Sequence, residues 1–286
     1  MEGIEILRNR SRAAHKGDFG HLLVVAGSPG LTGAAGLAAL SSLKAGCGLV
    51  TLATGKSSYS ILASKFTEVM FRPLLEKGGA LSAENFSLIK SFSEKADGCL
   101  IGPGLGRKDA TERLVAKLLT GIKKPIILDA DGLNAISGKT GILKKAKAPV
   151  IVTPHPGEMF RLTGKTVPEI QRDRKKSALE FSREYNVITV LKGYQTVVAS
   201  PDGKIYINFT GNAGLATAGS GDVLAGIVGG LMVQGLPVFS AATLGVYLHG
   251  LAGDFAARDK GEASMVATDV MEKIPEAITF LLEQSR

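Results

Sequence analysis

Gly219-Ser220-Gly221-Asp222 stand at the entrance of an apolar run, "VLAGIVGGLMV". Glycines allow backbone angles that turn successive N–H groups to one side. A helix beginning there adds its own unsatisfied N–H groups and the positive end of its dipole. Such a corner can stabilise a phosphate, or the negative charge that develops as a phosphoryl group transfers. It can equally be a plain helix start with Asp222 as N-cap, which needs no chemistry. The run that follows is apolar nearly all round, so its helix is expected to be buried. A carboxylate entering that helix from a cleft is partly desolvated and can take a proton from a hydroxyl attacking phosphorus. The helix dipole is expected to lower its pKa, leaving placement as its main contribution.

Other residues could share that chemistry. Lys192, in "LKGYQTVV", ends a strand and could reach a phosphate as a point charge, or be a solvated turn lysine. Thr210, Gly211 and Asn212 open the loop before the anion corner, within reach of a nucleotide. Asp129 and Asp131, in "ILDADGLNA", could hold a metal through water or cap the next helix, and capping suits Asp131 better. His155 lies between two prolines in "TPHPGEM", so its backbone is stiff and its ring well placed; a turn histidine without function is the competing reading. Glu158 reads as the acidic first-turn residue of a helix, and His249, inside an apolar helix, as a satisfied core residue; His15 and His21 are undecided. Gly102-Pro103-Gly104-Leu105-Gly106 lacks the last glycine of GxGxxG, and GxxxxGK[ST] is absent, so neither standard nucleotide fingerprint applies.

The elements that must position these residues alternate. Strands are expected at His21–Gly27, Gly48–Thr54, Gly98–Gly102, Pro125–Asp131 and Pro149–His155, with helices at Gly33–Gly46 and from Lys108. The strand runs are continuously apolar, as in a parallel sheet covered on both faces by helices. A long charged helix from about Pro168 to Tyr185 precedes "VITVLKG", "QTVVASPDG" and "KIYINFTG", which read as a partly antiparallel edge of the same sheet. Helices at Asp222–Val233, Val238–Arg258 and Thr268–Glu283 close the chain. With no linker, repeat or composition break, residues 1–286 are expected to form one doubly wound α/β domain. Five corners carry polar or glycine-rich residues directly after an apolar strand, which implies a broad cleft along one sheet edge.

Composition narrows the classes. The 45% hydrophobic and 21% charged residues suit a globular protein. The net charge of +8 is spread along the chain, and without Trp, with 6% aromatics, there is little material for stacking single-stranded bases. A mild positive bias suits anionic small molecules; no nucleic-acid partner is expected. Cys47 and Cys99 lack CxxC spacing and read as buried free thiols in a reducing compartment. The first twenty residues contain no apolar h-region and no run approaches a bilayer span, so a cytoplasmic protein with no membrane partner is expected.

Taken in order, "HKGDFGHLLVVAGSPGLTGAAGLAALSSLKAGCGLVTLA", "IGPGLG", "LDADGLNA", "VTPHPGEMFRLTG", "LKGYQTVVASPDG" and "FTGNAGLATAGSGDVLAGIVGGLM" resemble the ADP/ATP-dependent NAD(P)H-hydrate dehydratases, from about His15 to about Ala257. The resemblance implies a ribokinase-like α/β fold, with a mostly parallel sheet. Many members carry threonine where Ser220 stands, which keeps the hydroxyl. It implies a nucleotide site of Lys192, Gly193, Tyr194, Gln195 and Thr196 with Gly221, joined by Asn212, Gly219 and Ser220 from the loop and anion corner. Asp222 would face the hydrated nicotinamide as catalytic base, and Ala34, Gly104, Asp129 and His155 would hold the substrate. The implied reaction converts the S epimer of hydrated NADH or NADPH to NADH or NADPH, consuming ADP (or ATP) with Mg2+ and releasing AMP and phosphate from ADP. No protein-bound metal site is expected. In some members an epimerase domain precedes this one; here it is expected to be absent, with a separate epimerase as partner and a homo-oligomer as the assembly. A small-molecule kinase of the same fold, acting on a hydroxymethylpyrimidine or thiazole alcohol, is the alternative.

Overall fold

A computed structural model describes residues 3–8 and 10–285. The apolar runs become strands because side chains on both of their faces are removed from water. In chain order the strands are β1 (His21–Val25), β2 (Leu49–Gly55), β3 (Met70–Leu74), β4 (Glu76–Lys77), β5 (Ala80–Leu81), β6 (Gly98–Ile101), β7 (Ile126–Leu128), β8 (Val150–Val152), β9 (Ile188–Leu191), β10 (Val197–Ala199) and β11 (Ile205–Ile207). Nine of them form one sheet in the order β11-β10-β9-β8-β7-β6-β1-β2-β3, while β4 and β5 pair as a separate hairpin. Pairing is parallel from β3 through β9 in that order. The expected antiparallel edge is present, with β10 against β9 and β11 against β10.

Alternate residues of the central strands enter two cores. Leu22, Val24 and Leu100 pack under the helices Thr32–Lys44, Ser220–Val233 and Val238–Lys260. Leu23, Val25 and Ile101 pack under Phe86–Glu94, Asp109–Gly121 and Arg174–Tyr185. Strand order reverses at β1, which has β2 on one side and β6 on the other. The loops after β1 and β6 therefore diverge from one point at the carboxyl end of the sheet, where open α/β sheets hold their ligands.

Two expected helices are broken in the structure. The charged segment divides into Val167–Arg172 and Arg174–Tyr185. Asp173 between them leaves helical geometry (φ −145, ψ 82), and its carboxylate accepts from Lys176 N, so it caps the second piece. The last expected helix divides into Ala267–Glu272 and Ile274–Gln284, because Pro275 has no N–H with which to continue the ladder. The helix Lys56–Ala63 and strand β3 had no sequence expectation. In β3, "MFRPL" is mostly exposed at the sheet edge, so neither a continuous nor an alternating apolar pattern marks it. Pro73 is tolerated there because an edge strand has unpaired positions.

The buried Ser220–Val233 helix approaches the Thr32–Lys44 helix almost backbone to backbone. A methyl group at Gly226 would overlap the Ser41 hydroxyl and the Ala38 carbonyl oxygen. Gly226→Ala is therefore expected to destabilise the fold by about 3 kcal/mol, at the upper end of ordinary overpacking, measured by urea unfolding. An unchanged midpoint would mean that the two helices can separate freely.

Cys47 and Cys99 are buried and free, and burial pushes their thiols up to about 11 and about 12. Among the described residues no helix is long and apolar enough to cross a membrane.

Candidate active site

The five corners lie together at the carboxyl ends of β1, β6, β7, β8 and β9. Gly27 N donates to Pro103 O at 2.9 Å and the Ser28 hydroxyl to Gly104 O at 2.8 Å, tying the first two corners. Gly104 takes φ +62, and a methyl there would come 3.2 Å from Ala34 Cβ, so Ala34 and Gly104 are neighbours at the switch point. Asp131 does not cap its helix, where Ala130 is the N-cap residue. Its carboxylate instead accepts from Gly106 N at 2.8 Å and Asn134 Nδ2 at 3.1 Å, and bolts the second corner to the third.

Asp129, at the end of β7, is 1% exposed. Its Oδ1 accepts from the Thr153 hydroxyl at 2.6 Å and from Lys192 Nζ at 2.9 Å. Its Oδ2 is buried without a partner. Lys192 is thus not a solvated turn lysine. It points inward, with Glu158 Oε2 also 3.7 Å away, and its backbone N–H donates to Pro154 O at 2.8 Å. Burial alone would lower the Lys192 pKa, but Asp129 and then Glu158 outweigh it and hold the ammonium above its usual range.

Asp222 corrects two expectations. The N-cap is Gly219, in left-handed geometry at φ +89, so Asp222 is the third residue of the helix and not its cap. Its pKa is raised to about 7, first by burial and next by the charge of Asp129, with Lys192 opposing. Burial and the neighbouring acids raise it by more than Lys192 lowers it. A carboxylate titrating near neutrality is suited to take up and pass on a proton.

Gly221, beside Asp222, faces the lysine: a methyl there would lie 3.2 Å from Lys192 Nζ. Ser220 Oγ meets His249 Nε2 at 3.0 Å. Burial lowers the His249 pKa to about 4, so it is neutral, and its ring is satisfied as the sequence suggested while also lining the site. His155 is the N-cap of the Pro156–Thr163 helix: its Nδ1 accepts from Gly157 N at 3.0 Å, and its backbone N–H donates to Glu158 Oε2 at 2.8 Å. Its ring remains half exposed at the cleft, and burial lowers its pKa against the pull of Glu158.

A cleft of about 720 Å³ opens over this floor. Lys192, Gly193, Tyr194, Gln195, Thr196, Asn212, Ser220, Gly221 and His155 line it, as do Phe209 and His249. Gly193 (φ +140) and Gln195 (φ +53) bend the 192–196 turn, and the Thr196 hydroxyl closes it on Gly193 O at 2.9 Å. Tyr194 and Phe209 are 89% and 77% exposed, two aromatic rings available at the wall. Asp222, Gly219, Ala34, Gly104 and Asp129 are not part of that lining. Gly219 packs between Leu37 and Ala267, and Ala34 and Gly104 belong to the switch-point side. Ser220 and Gly221 of the Gly219–Asp222 corner do line the cleft. His21 pairs with Thr51 at the opposite end of the sheet, and exposed His15 faces Asp18; neither enters the site.

Sequence reasoning missed Glu158 and Thr153 as members of the charged cluster. The signal for Glu158 was its capping spacing from His155, which carries no hint of a lysine 34 residues onward. Among the described residues no group of three or more His, Cys, Asp or Glu is arranged to hold a metal ion.

The family model described as NAD(P)H-hydrate dehydratase (Carb_kinase) matches residues 22–276. The bifunctional NAD(P)H-hydrate repair enzyme Nnr of Moorella thermoacetica is 48% identical over 279 residues, 97% of this chain and 53% of that protein. The chain spans about half the length of such bifunctional relatives. The ADP-dependent (S)-NAD(P)H-hydrate dehydratase of Neisseria meningitidis is 40% identical over 91% of this chain and 84% of its own. A crystal structure of the ADP/ATP-dependent NAD(P)H-hydrate dehydratase of Bacillus subtilis, co-crystallised with ATP and Mg2+, superposes with a TM-score of 0.81 at 30% identity, covering 97% of this chain and 96% of that one. The fold is ribokinase-like, and the chain belongs to the NAD(P)H-hydrate dehydratase family.

Proposed function

We propose that residues 1–286 act as one dehydratase domain that restores hydrated NADH and NADPH, S epimer, at the expense of ADP. The observation that carries the reading is the Asp222 carboxylate, held near pKa 7 at a glycine-rich helix start beside a nucleotide-sized cleft. The names of the Neisseria and Bacillus relatives support both the substrate and the nucleotide.

Hydration leaves a hydroxyl at C6 of the nicotinamide ring, and hydroxide is a poor leaving group, its conjugate acid having a pKa of about 15.7. Phosphate leaves far more readily, with a relevant pKa of roughly 6. In the proposed route the C6 oxygen attacks the β-phosphorus of ADP while Asp222 accepts its proton, and AMP departs. The ring nitrogen's lone pair then expels phosphate from C6, and a proton is lost from C5. The amides of Gly219 to Asp222 stabilise the phosphoryl group in transit. Lys192 offsets part of the charge of Asp129 and Glu158 and so weakens the repulsion that they and Asp222 would exert on an anionic ligand. The 192–196 turn and the Asn212 loop hold the nucleotide, while Ala34, Gly104 and His155 face the hydrated ring. Among the described residues no acidic group is arranged to hold an ion, so magnesium would be carried by the nucleotide's own phosphates. It would supply charge neutralisation.

Incubation with enzymatically hydrated NADH is expected to restore the near-ultraviolet absorbance of the reduced ring when ADP is added, with AMP formed in equal amount. Supply with ATP in parallel sets the nucleotide preference. Failure with every nucleotide, with phosphorylation of a thiazole or pyrimidine alcohol instead, would make the protein a kinase of the same fold.

A further inference from the structure

One helix, Val238–Lys260, supports both sides of the cleft, and its Asp254 has no role in the chemistry above. The loop of residues 208–215, which lines the cleft, lies along this helix where the side chains are small. A methyl at Gly250 would overlap Thr210, and one at Gly253 would come 2.7 Å from Leu215. The Thr210 hydroxyl donates to Tyr247 O at 2.9 Å, and Asn208 Nδ2 to Val246 O at 3.3 Å. Beyond these, Asp254 Oδ2 accepts from Gly211 N at 2.9 Å and Oδ1 from Asn212 Nδ2 at 3.0 Å. Asn212 Oδ1 in turn accepts from Gly214 N at 2.9 Å. The Asn212 side chain is therefore committed at both ends inside the protein, and Asp254 is absent from the cleft lining.

We propose that Asp254 is a positioning residue of the nucleotide site, its carboxylate setting the Gly211–Asn212 backbone that forms one wall. This rests on the reading of the cleft as a nucleotide site. The physical case is preorganisation: Gly211 sits at φ +101 in a segment without regular hydrogen bonding, and a wall not ordered beforehand must be ordered by the ligand. Charge-assisted bonds to both donors hold it at little risk of fraying.

The test uses ADP calorimetry, thermal unfolding and steady-state kinetics on the full chain. In Asp254→Asn the amide group must aim an N–H at one of the two donors. In Asn212→Asp two carboxylates face each other. Each is expected to raise the Kd for ADP about tenfold, the worth of one charge-assisted hydrogen bond, and to act on KM for ADP more than on kcat. The double exchange Asn212→Asp with Asp254→Asn restores every bond: Gly211 N to Asn oxygen, Asn amide to Asp, and Gly214 N to Asp. Its ADP affinity is expected to exceed that of Asn212→Asp, which places the same carboxylate in the cleft wall, and its unfolding midpoint to return close to that of the parent. Single variants that bind ADP like the parent while unfolding earlier would reduce Asp254 to a structural residue. A folded double variant that binds ADP no better than Asn212→Asp would equally overturn the proposal. Absence of ADP binding by the parent would remove the nucleotide reading, and this inference with it.

Discussion

Asp222→Asn is expected to lower kcat by about 10³-fold, within the range that a general base contributes, while ADP still binds. The exchange keeps the shape and the helix start, since Gly219 is the cap, and removes only the ability to take a proton. In the parent, kcat should rise with pH up to about 7 and then level, because the base works deprotonated. Stability should move the other way. Between the ordinary carboxylate value of 3.8 and about 7, the folded protein holds a proton on Asp222 that the unfolded chain has released. Stability from this group therefore falls as pH rises across that window. Asp222→Asn removes the penalty, so its advantage in unfolding midpoint should be full above about pH 7 and vanish toward 3.8. A variant with near-parental turnover would take Asp222 out of the mechanism. A midpoint gain independent of pH would mean that its carboxylate is not desolvated.

Lys192→Met should have the largest effect on stability. The methionine fills the stem's volume but leaves Asp129 and Glu158 buried without a counter-charge, a loss of about 3–5 kcal/mol for a broken buried pair. Urea unfolding at neutral pH reads it. Because Lys192 lowers the Asp222 pKa, its removal should also shift the acidic limb of kcat upward. Adding Asp129→Asn should return part of the stability, since the carboxylate that most needs the lysine is gone. A Lys192→Met protein as stable as its parent, with an unmoved acidic limb, would show that the cluster is not electrostatically coupled.

Local pattern carried much of the architecture. The continuous apolar runs at β1, β2, β6, β7 and β8 declared a parallel sheet, and the turn-rich stretch from Val187 to Gly211 declared its partly antiparallel edge. Where a single residue interrupts the pattern, the reading lost the element: Asp173 and Pro275 split two helices, and exposed β3 gave no apolar signal.

What the sequence by itself determined is the set of chemical groups and the corners that carry them: glycines before Asp222, a lysine at a strand end, a histidine pinned between prolines. These follow from backbone preferences that act within a few residues. What the tertiary structure decided is the state of those groups. Lys192 meets Asp129 across 63 positions and Asp254 meets Asn212 across 42. Asp222 is raised, not lowered, because burial and the charge of Asp129 outweigh the opposing Lys192. Desolvation and charge pairing depend on which corners the sheet order brings together, and that order is a property of the whole chain's packing.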